Sequence, residues 1–236
     1  MVLYSHHYLF YRYNISRQEC DEYALRSQHT WAAANAAGVF DAEIAPVEVK
    51  AKKGKEIMAC DEHPRPSEIG NFTKLKAVFK ENGAVTAGSA SGICDGAASL
   101  VLTNEAELKA NSWTPMCRLV SWSRVGCDPS VMGIGPVEAI RGALKSANLS
   151  IQDMDLVEIN EAFAAQYLAC EKELGLDRDK CNVNGGAIAL GHPLGASGAR
   201  IMTHLAHSLV RTGKKYAVGA ACIGGGQGIA IIVEKC

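Results

Sequence analysis

Apolar positions first recur at helical spacing between residues 20 and 34. Cys20, Tyr23, Ala24, Ser27, Trp31 and Ala34 share one face of a 3.6-residue period, which predicts an amphipathic helix. Ser16-Arg17-Gln18-Glu19 precedes it as a capping box, so ordered structure is expected to begin at Ser16. Gly38 is a suitable C-terminal stop. Alternation over residues 43–49 predicts a short strand. Residues 50–55, with four lysines around Gly54, read as a turn and a solvated charge run, and residues 61–70, with two prolines, as loop. An apolar strand is expected over 97–102, a short helix over 104–111 and a strand over 117–125.

From Gly135 onward the periods alternate. Pro136 suits a first helical position and opens a helix to about Ala147. Residues 156–159 predict a short buried strand and 161–174 a helix. Residues 182–193 form a glycine-rich loop with a short apolar stretch. A helix over 196–211 carries Ile201, Leu205 and Leu209 on one face. Residues 216–221 and 228–233 are apolar strands. Short strands alternating with helices of ten to fifteen residues predict an α/β layered domain.

Composition narrows the function classes. Of 236 residues, 48% are hydrophobic and 21% charged, as in ordinary globular proteins. Lys+Arg number 24 against Asp+Glu 25, so no basic excess supports a nucleic-acid partner. No apolar run approaches the roughly 20 residues that span a bilayer. Nine scattered cysteines without a Cys-Xaa-Xaa-Cys pair argue against a zinc ribbon or a disulfide framework and for a reducing compartment; no metal is expected. The first thirteen residues hold four of the seven tyrosines (Tyr4, Tyr8, Tyr11, Tyr13), with Phe10 and His6-His7. They look like neither a secretory signal nor a transit peptide and read as an atypical extension.

The 23 glycines cluster, and chemistry clusters with them. Asn160-Glu161-Ala162-Phe163-Ala164 lies where a strand becomes a helix. Asn160 reads either as an ordinary N-cap or as a neutral amide at the carboxyl end of a buried strand, where α/β proteins place ligands. Residues 184–198, NGGAIALGHPLGASG, set His192 between Gly191 and Pro193 ahead of a helix. A helix N-terminus disfavours imidazolium, so His192 suits a neutral base. The stretch lacks the Gly-Lys-Ser/Thr of a phosphate loop and the spacing of a dinucleotide fingerprint. Cys222-Ile223-Gly224-Gly225-Gly226-Gln227-Gly228 joins two apolar strands. Its glycines let backbone N–H groups approach a ligand and form an oxyanion hole; a glycine-rich hairpin with a buried cysteine is the plain alternative.

Together with residues 85–99, VTAGSASGICDGAAS, these three segments resemble the thiolase family, on the side of its 3-ketoacyl-CoA thiolases. The resemblance runs from about Asn14 to the end. It departs from the family at Ser89, where an asparagine is usual. It implies a layered αβαβα thiolase fold with a complete C-terminal domain and part of the N-terminal and loop domains. Residues 1–13 would be the extension, 14–92 the end of the loop domain, 93–115 a returning piece of the first domain and 116–236 the second domain. His192 matches the base that activates the family's nucleophilic cysteine. Cys222 matches the second reactive cysteine, which protonates or deprotonates acetyl-CoA at its methyl carbon. Asn160 matches the residue that holds a water beside the enolate oxygen, and the Gly224 N–H a donor of the other oxyanion hole. Ser91 matches a contact to the pantetheine arm, and Ala87, Phe163 and Phe79 positions lining its tunnel. Facing His192, Cys222 would be the most alkylation-sensitive cysteine.

The implied activity is thiolytic cleavage of 3-ketoacyl-CoA to acetyl-CoA and a shortened acyl-CoA in fatty-acid β-oxidation. Acyl-CoA and CoA are then the small-molecule partners, CoA being a substrate, and no separate cofactor is implied. The family forms homodimers or homotetramers. Mitochondrial placement follows from the resemblance, with cytoplasm and peroxisome as alternatives. The family's nucleophile sits in a Cys-Gly-Ser-Gly-like context, which Cys20, Cys60, Cys94, Cys117, Cys127, Cys170, Cys181 and Cys236 all lack. The chain is therefore expected to be inactive alone, or else to be a catalytically dead form that binds CoA thioesters or pairs with thiolase subunits.

Overall fold

The computed structural model describes residue 9 and residues 11–52, 54–81 and 83–236. After helix α1 (Arg17–Ala36) come strands β1 (Val47–Ala51) and β2 (Gly54–Met58), then helices α2 (Ile69–Phe72) and α3 (Glu105–Asn111). Strand β3 (Cys117–Gly126), helix α4 (Gly135–Ala147), strand β4 (Leu156–Ile159) and helix α5 (Ala164–Leu174) follow. Helix α6 (Ala187–Leu190), helix α7 (Ser197–Thr212) and strands β5 (Tyr216–Ile223) and β6 (Gln227–Lys235) complete the order.

The apolar runs pair into one mixed sheet in the order β3-β6-β5-β4. Strands β3 and β6, and β6 and β5, are antiparallel, while β4 runs parallel to β5. Successive side chains point to opposite faces, and each face has its own helices. Leu156, Ala217 and Val233 join Ile201, Leu205 and Leu209 of α7 on one side. Val157, Ile159, Val218, Ala220, Ala230 and Ile232 join Val137, Ile140, Ala143 and Leu144 of α4 on the other. Burying each large aliphatic side chain contributes about 1.5–3 kcal/mol, so this two-sided alternation sets the register. The α5 and α1 helices extend the α4 side, where Tyr23 and Tyr167 stack at 4.2 Å between ring centroids.

Several expectations hold. The α1 helix starts at the Ser16 capping box, β4 occupies the four residues expected of it, and the helices and strands near 104–111, 117–125, 135–147 and 196–211 form. Others need correction. Ordered structure begins before Ser16: residues 9, 11 and 12 are helical, and Leu9 is fully buried in the main core. The remaining residues of the tyrosine-rich start, 1–8 and 10, lie outside those described. The strand expected at 43–49 runs from Val47 to Ala51, and Lys50 pairs with Lys55 where it forms a hairpin with β2. Residues 97–102 form no strand; Val101 and Leu102 are exposed and no partner strand flanks them among the described residues. The helix expected from 161 begins at Ala164, because Phe163 instead bridges Ala90 as extended chain. The glycine-rich loop contains α6. Cys222 lies within β5, whose pairing with β6 runs past it to Ile223.

Candidate active site

Four separated segments meet at the carboxyl end of β4. Asn160 continues the parallel ladder, its N–H donating to Ala220 O at 2.9 Å. The reading of Asn160 as a helix cap fails, since Phe163 occupies the cap position of α5. Its side chain is buried instead, with Nδ2 3.3 Å from His192 Nε2 and Oδ1 without a hydrogen-bond partner among the described residues. The extended residues 161–163 receive the 89–93 segment. Ser91 donates to Ala162 O from its N–H and its hydroxyl, both at 3.1 Å, and Ala164 N–H donates to Ser89 O at 2.9 Å. Ser89, where the family usually has asparagine, is buried, and its hydroxyl bonds to Ala84 O and the Thr86 N–H.

The same segment continues to His192. The His192 N–H donates to Gly92 O at 2.7 Å, and Ile93 bridges His192 in parallel. Gly191 makes this approach feasible. Its φ of +88° is left-handed, and a Cβ there would stand 2.6 Å from Cys94 Sγ. The half-buried imidazole has Nδ1 2.6 Å from Ser197 Oγ. Burial first, and then the Arg200 guanidinium, hold its pKa below the ordinary value of 6.5. Arg200 is ion-paired to the buried Glu158 of β4. His192 is therefore a neutral imidazole near pH 7, the form that can accept a proton.

Glu161 holds these pieces together. Its carboxylate is 0% exposed. Oε1 accepts from Tyr23 OH at 2.6 Å and Asn182 Nδ2 at 2.9 Å. Oε2 accepts from Ser27 Oγ at 2.7 Å and the Ile188 N–H at 3.0 Å. One side chain thus ties α1, the 182–186 loop and α6 to the residue after Asn160. A buried carboxylate is tolerated only with such a full complement of donors.

Cys222 sits near the end of β5 opposite Gly228. Some of its surface remains accessible, yet protein surrounds the thiol closely enough that burial pushes its pKa up to about 12. No hydrogen bond joins Cys222 to His192 among the described residues, and burial that raises the thiol's pKa does not favour the activated, readily alkylated thiolate expected of it. Gly224 is exposed at the hairpin tip, with open space where a Cβ would stand. Gly226 adopts the left-handed φ of +90°, and a Cβ there would also stand 2.3 Å from Cys127 O, so the position requires glycine.

Of the other expected contacts, Ser91 and Phe163 lie on the paired 89–93 and 161–163 segments. Ala87 and Phe79 are exposed, outside every buried hydrophobic cluster. The sequence reading missed Glu161, taken as a helix residue, and Ser197 and Arg200, whose link to His192 depends on how the 193–196 turn folds. No group of three or more His, Cys, Asp or Glu could hold a metal ion among the described residues.

A mixed sheet lies between helices, and an asparagine and a histidine meet at the end of one of its strands. The thiolase C-terminal domain model matches residues 113–235 and the thiolase N-terminal domain model residues 4–106. The chain belongs to the thiolase family. It is 61% identical over 225 residues to the mitochondrial 3-ketoacyl-CoA thiolase of Pongo abelii, covering 95% of this chain and 57% of that protein. Its structure matches the crystal structure of human mitochondrial 3-ketoacyl-CoA thiolase with TM-score 0.94 at 55% identity, covering 98% of this chain and 59% of that one. It also matches the human enzyme's complex with CoA, with TM-score 0.91 at 53% identity, covering 98% and 58%. The chain thus spans under two thirds of the length of these relatives. No helix among the described residues is long and apolar enough to cross a membrane.

Proposed function

We propose that this chain carries the base, the second cysteine and part of the CoA cradle of a mitochondrial 3-ketoacyl-CoA thiolase working in fatty-acid β-oxidation. The observation that carries the proposal is the convergence of Asn160, His192 and the Ser91 segment at the end of β4. Similarity to mitochondrial thiolases and to a CoA-bound thiolase structure supports the compartment and the ligand. In this reading residues 14–92 end the loop domain, 93–115 return to the first domain and 116–236 form the second domain.

In thiolysis the family's nucleophilic thiolate adds to the C3 carbonyl carbon of the 3-ketoacyl-CoA. The C2–C3 bond then breaks, and its electron pair leaves as the enolate of acetyl-CoA. Cys222, resting as a thiol, delivers its proton to C2. His192 takes the proton of the attacking thiol, and its Nε2, with a water held by Asn160, faces the enolate oxygen. The exposed tip at Gly224 offers an N–H to the tetrahedral oxyanion. Ser91 and Phe163, with Ala87 and Phe79 further along the loop, line the pantetheine path. CoA enters as substrate, and the reading includes no other cofactor.

None of the nine cysteines has the sequence context of the nucleophile, so the 236 residues by themselves should bind CoA thioesters without turning them over. The exposed apolar residues Val101 and Leu102 favour the companion reading, in which the chain pairs with thiolase subunits. Isothermal titration of the 236-residue chain with CoA and acetoacetyl-CoA, beside a thiolysis assay that follows loss of the magnesium-enolate absorbance, separates the outcomes. Saturable binding without turnover is expected. Absence of binding overturns the CoA cradle, and turnover that survives removal of host thiolase overturns the inactivity.

A further inference from the structure

The geometry points to Ser197 as the positioning residue that fixes the tautomer of His192, holding the proton on Nδ1 and leaving the Nε2 lone pair toward Asn160. This rests on the reading of His192 as a base, and it concerns a side chain that reading does not use.

Ser197 is the first residue of α7 and is buried. Its hydroxyl lies 2.6 Å from His192 Nδ1 and 3.2 Å from Pro193 O. A hydroxyl has one proton to give and two lone pairs to accept with, and a carbonyl oxygen can only accept. The proton order that satisfies both contacts runs from Nδ1–H to Ser197 Oγ and from Ser197 O–H to Pro193 O. Pro193 O also accepts the N–H groups of Ala196 at 2.7 Å and Ser197 at 2.9 Å, so the hydroxyl proton is its third and longest partner. The short contact to the ring dominates. On the ring's other side Asn160 Nδ2 faces Nε2 at 3.3 Å. A donor there matches an unprotonated Nε2, and Asn160 Oδ1 has no hydrogen-bond partner among the described residues.

The catalytic cycle gives a second reason. When Nε2 takes a proton, the ring becomes imidazolium and both nitrogens are donors. With Ser197 Oγ already accepting from Nδ1–H, the ring passes between its two charge states without any hydroxyl turning. With the opposite tautomer Nε2 would already carry a proton and could accept none from the attacking thiol, and Asn160 Nδ2 would face an N–H even in the resting enzyme. The contact joins the start of α7 to the Gly-His-Pro turn, so the serine orients the ring from the same helix that carries Arg200.

The test reads protons directly. In the full 236-residue chain labelled with 15N-histidine, long-range proton–nitrogen correlation at pH 8 reports the tautomer of each ring, and His192→Gln identifies the His192 signal by its loss. A pyrrole-like Nδ1 and a pyridine-like Nε2 are expected for His192. In Ser197→Ala the signal should move toward the averaged values of a free imidazole, and Ser197→Thr, which keeps the hydroxyl, should restore it. A wild-type His192 carrying its proton on Nε2 overturns the proposal without any variant. So does an unchanged tautomer in a Ser197→Ala protein whose melting and far-UV spectrum match wild type. Neither outcome depends on CoA binding or turnover, so failure of the thiolase reading is distinguishable from failure of this one.

Discussion

Replacing Glu161 by glutamine keeps the size and shape of a fully buried side chain but turns one of its two acceptor oxygens into a donor. If the new NH2 stands in the place of Oε1, it meets the Tyr23 hydroxyl and Asn182 Nδ2. The hydroxyl can rotate and accept; the amide cannot. If it stands in the place of Oε2, it meets the Ser27 hydroxyl and the Ile188 N–H. Ser27 Oγ is also the acceptor for the Gly186 N–H at 3.2 Å, and again the backbone donor has no way to adapt. Either orientation strands one buried N–H, which costs about 1–3 kcal/mol. Alanine removes all four acceptor contacts and leaves a cavity, so its cost should be about two to three times larger, a substantial part of the 5–15 kcal/mol by which ordinary proteins are stable. Urea unfolding followed by Trp fluorescence and far-UV circular dichroism measures both; Trp31 on α1 packs against Gly185 and reports on this junction. A glutamine variant within about 0.5 kcal/mol of wild type, the ordinary range for uninvolved surface changes, would falsify the claim that this carboxylate fastens the site.

Arg200→Met should raise the His192 pKa, because the guanidinium opposes imidazolium; the value should remain below 6.5 because burial is the larger cause. Histidine titration by NMR checks this, and an unchanged or lowered value refutes it. The same depression has a stability consequence: the unfolded chain takes up this proton as pH falls through about 6.5, the folded chain only at lower pH, so stability should decline from about pH 6.5 downward. For Cys222, a pKa pushed from 9.0 to about 12 leaves roughly 10³ less thiolate at a given pH, offset only partly by greater intrinsic nucleophilicity. Iodoacetamide at pH 8, read by peptide mass spectrometry, should label the exposed Cys236 before Cys222; the reverse order would show that the thiol is activated after all.

Much of the architecture was legible in the sequence because it rests on short-range rules. The Ser16–Glu19 box, the β4 tetrapeptide and the Ile201/Leu205/Leu209 stripe each follow from spacing within one element. Fold class followed from their alternation, the glycine-rich segments marked His192 and Cys222, and the strand-to-helix junction marked Asn160. The misses arose where a distant partner decides. Residues 97–102 have the composition of a strand, but a strand also needs a neighbour to receive its hydrogen bonds. Residues 161–163 have helical neighbours, yet the 89–93 segment claims their backbone. Glu161 reads as an ordinary helix residue until donors from α1, the 182–186 loop and α6 surround it. Cys222 looked reactive from its glycine neighbours, and only the packing around β5 shows the burial that raises its pKa. Sequence determined which residues could do chemistry; their protonation and mutual placement were decided by tertiary structure, because burial and hydrogen bonding depend on groups more than a hundred residues apart in the chain.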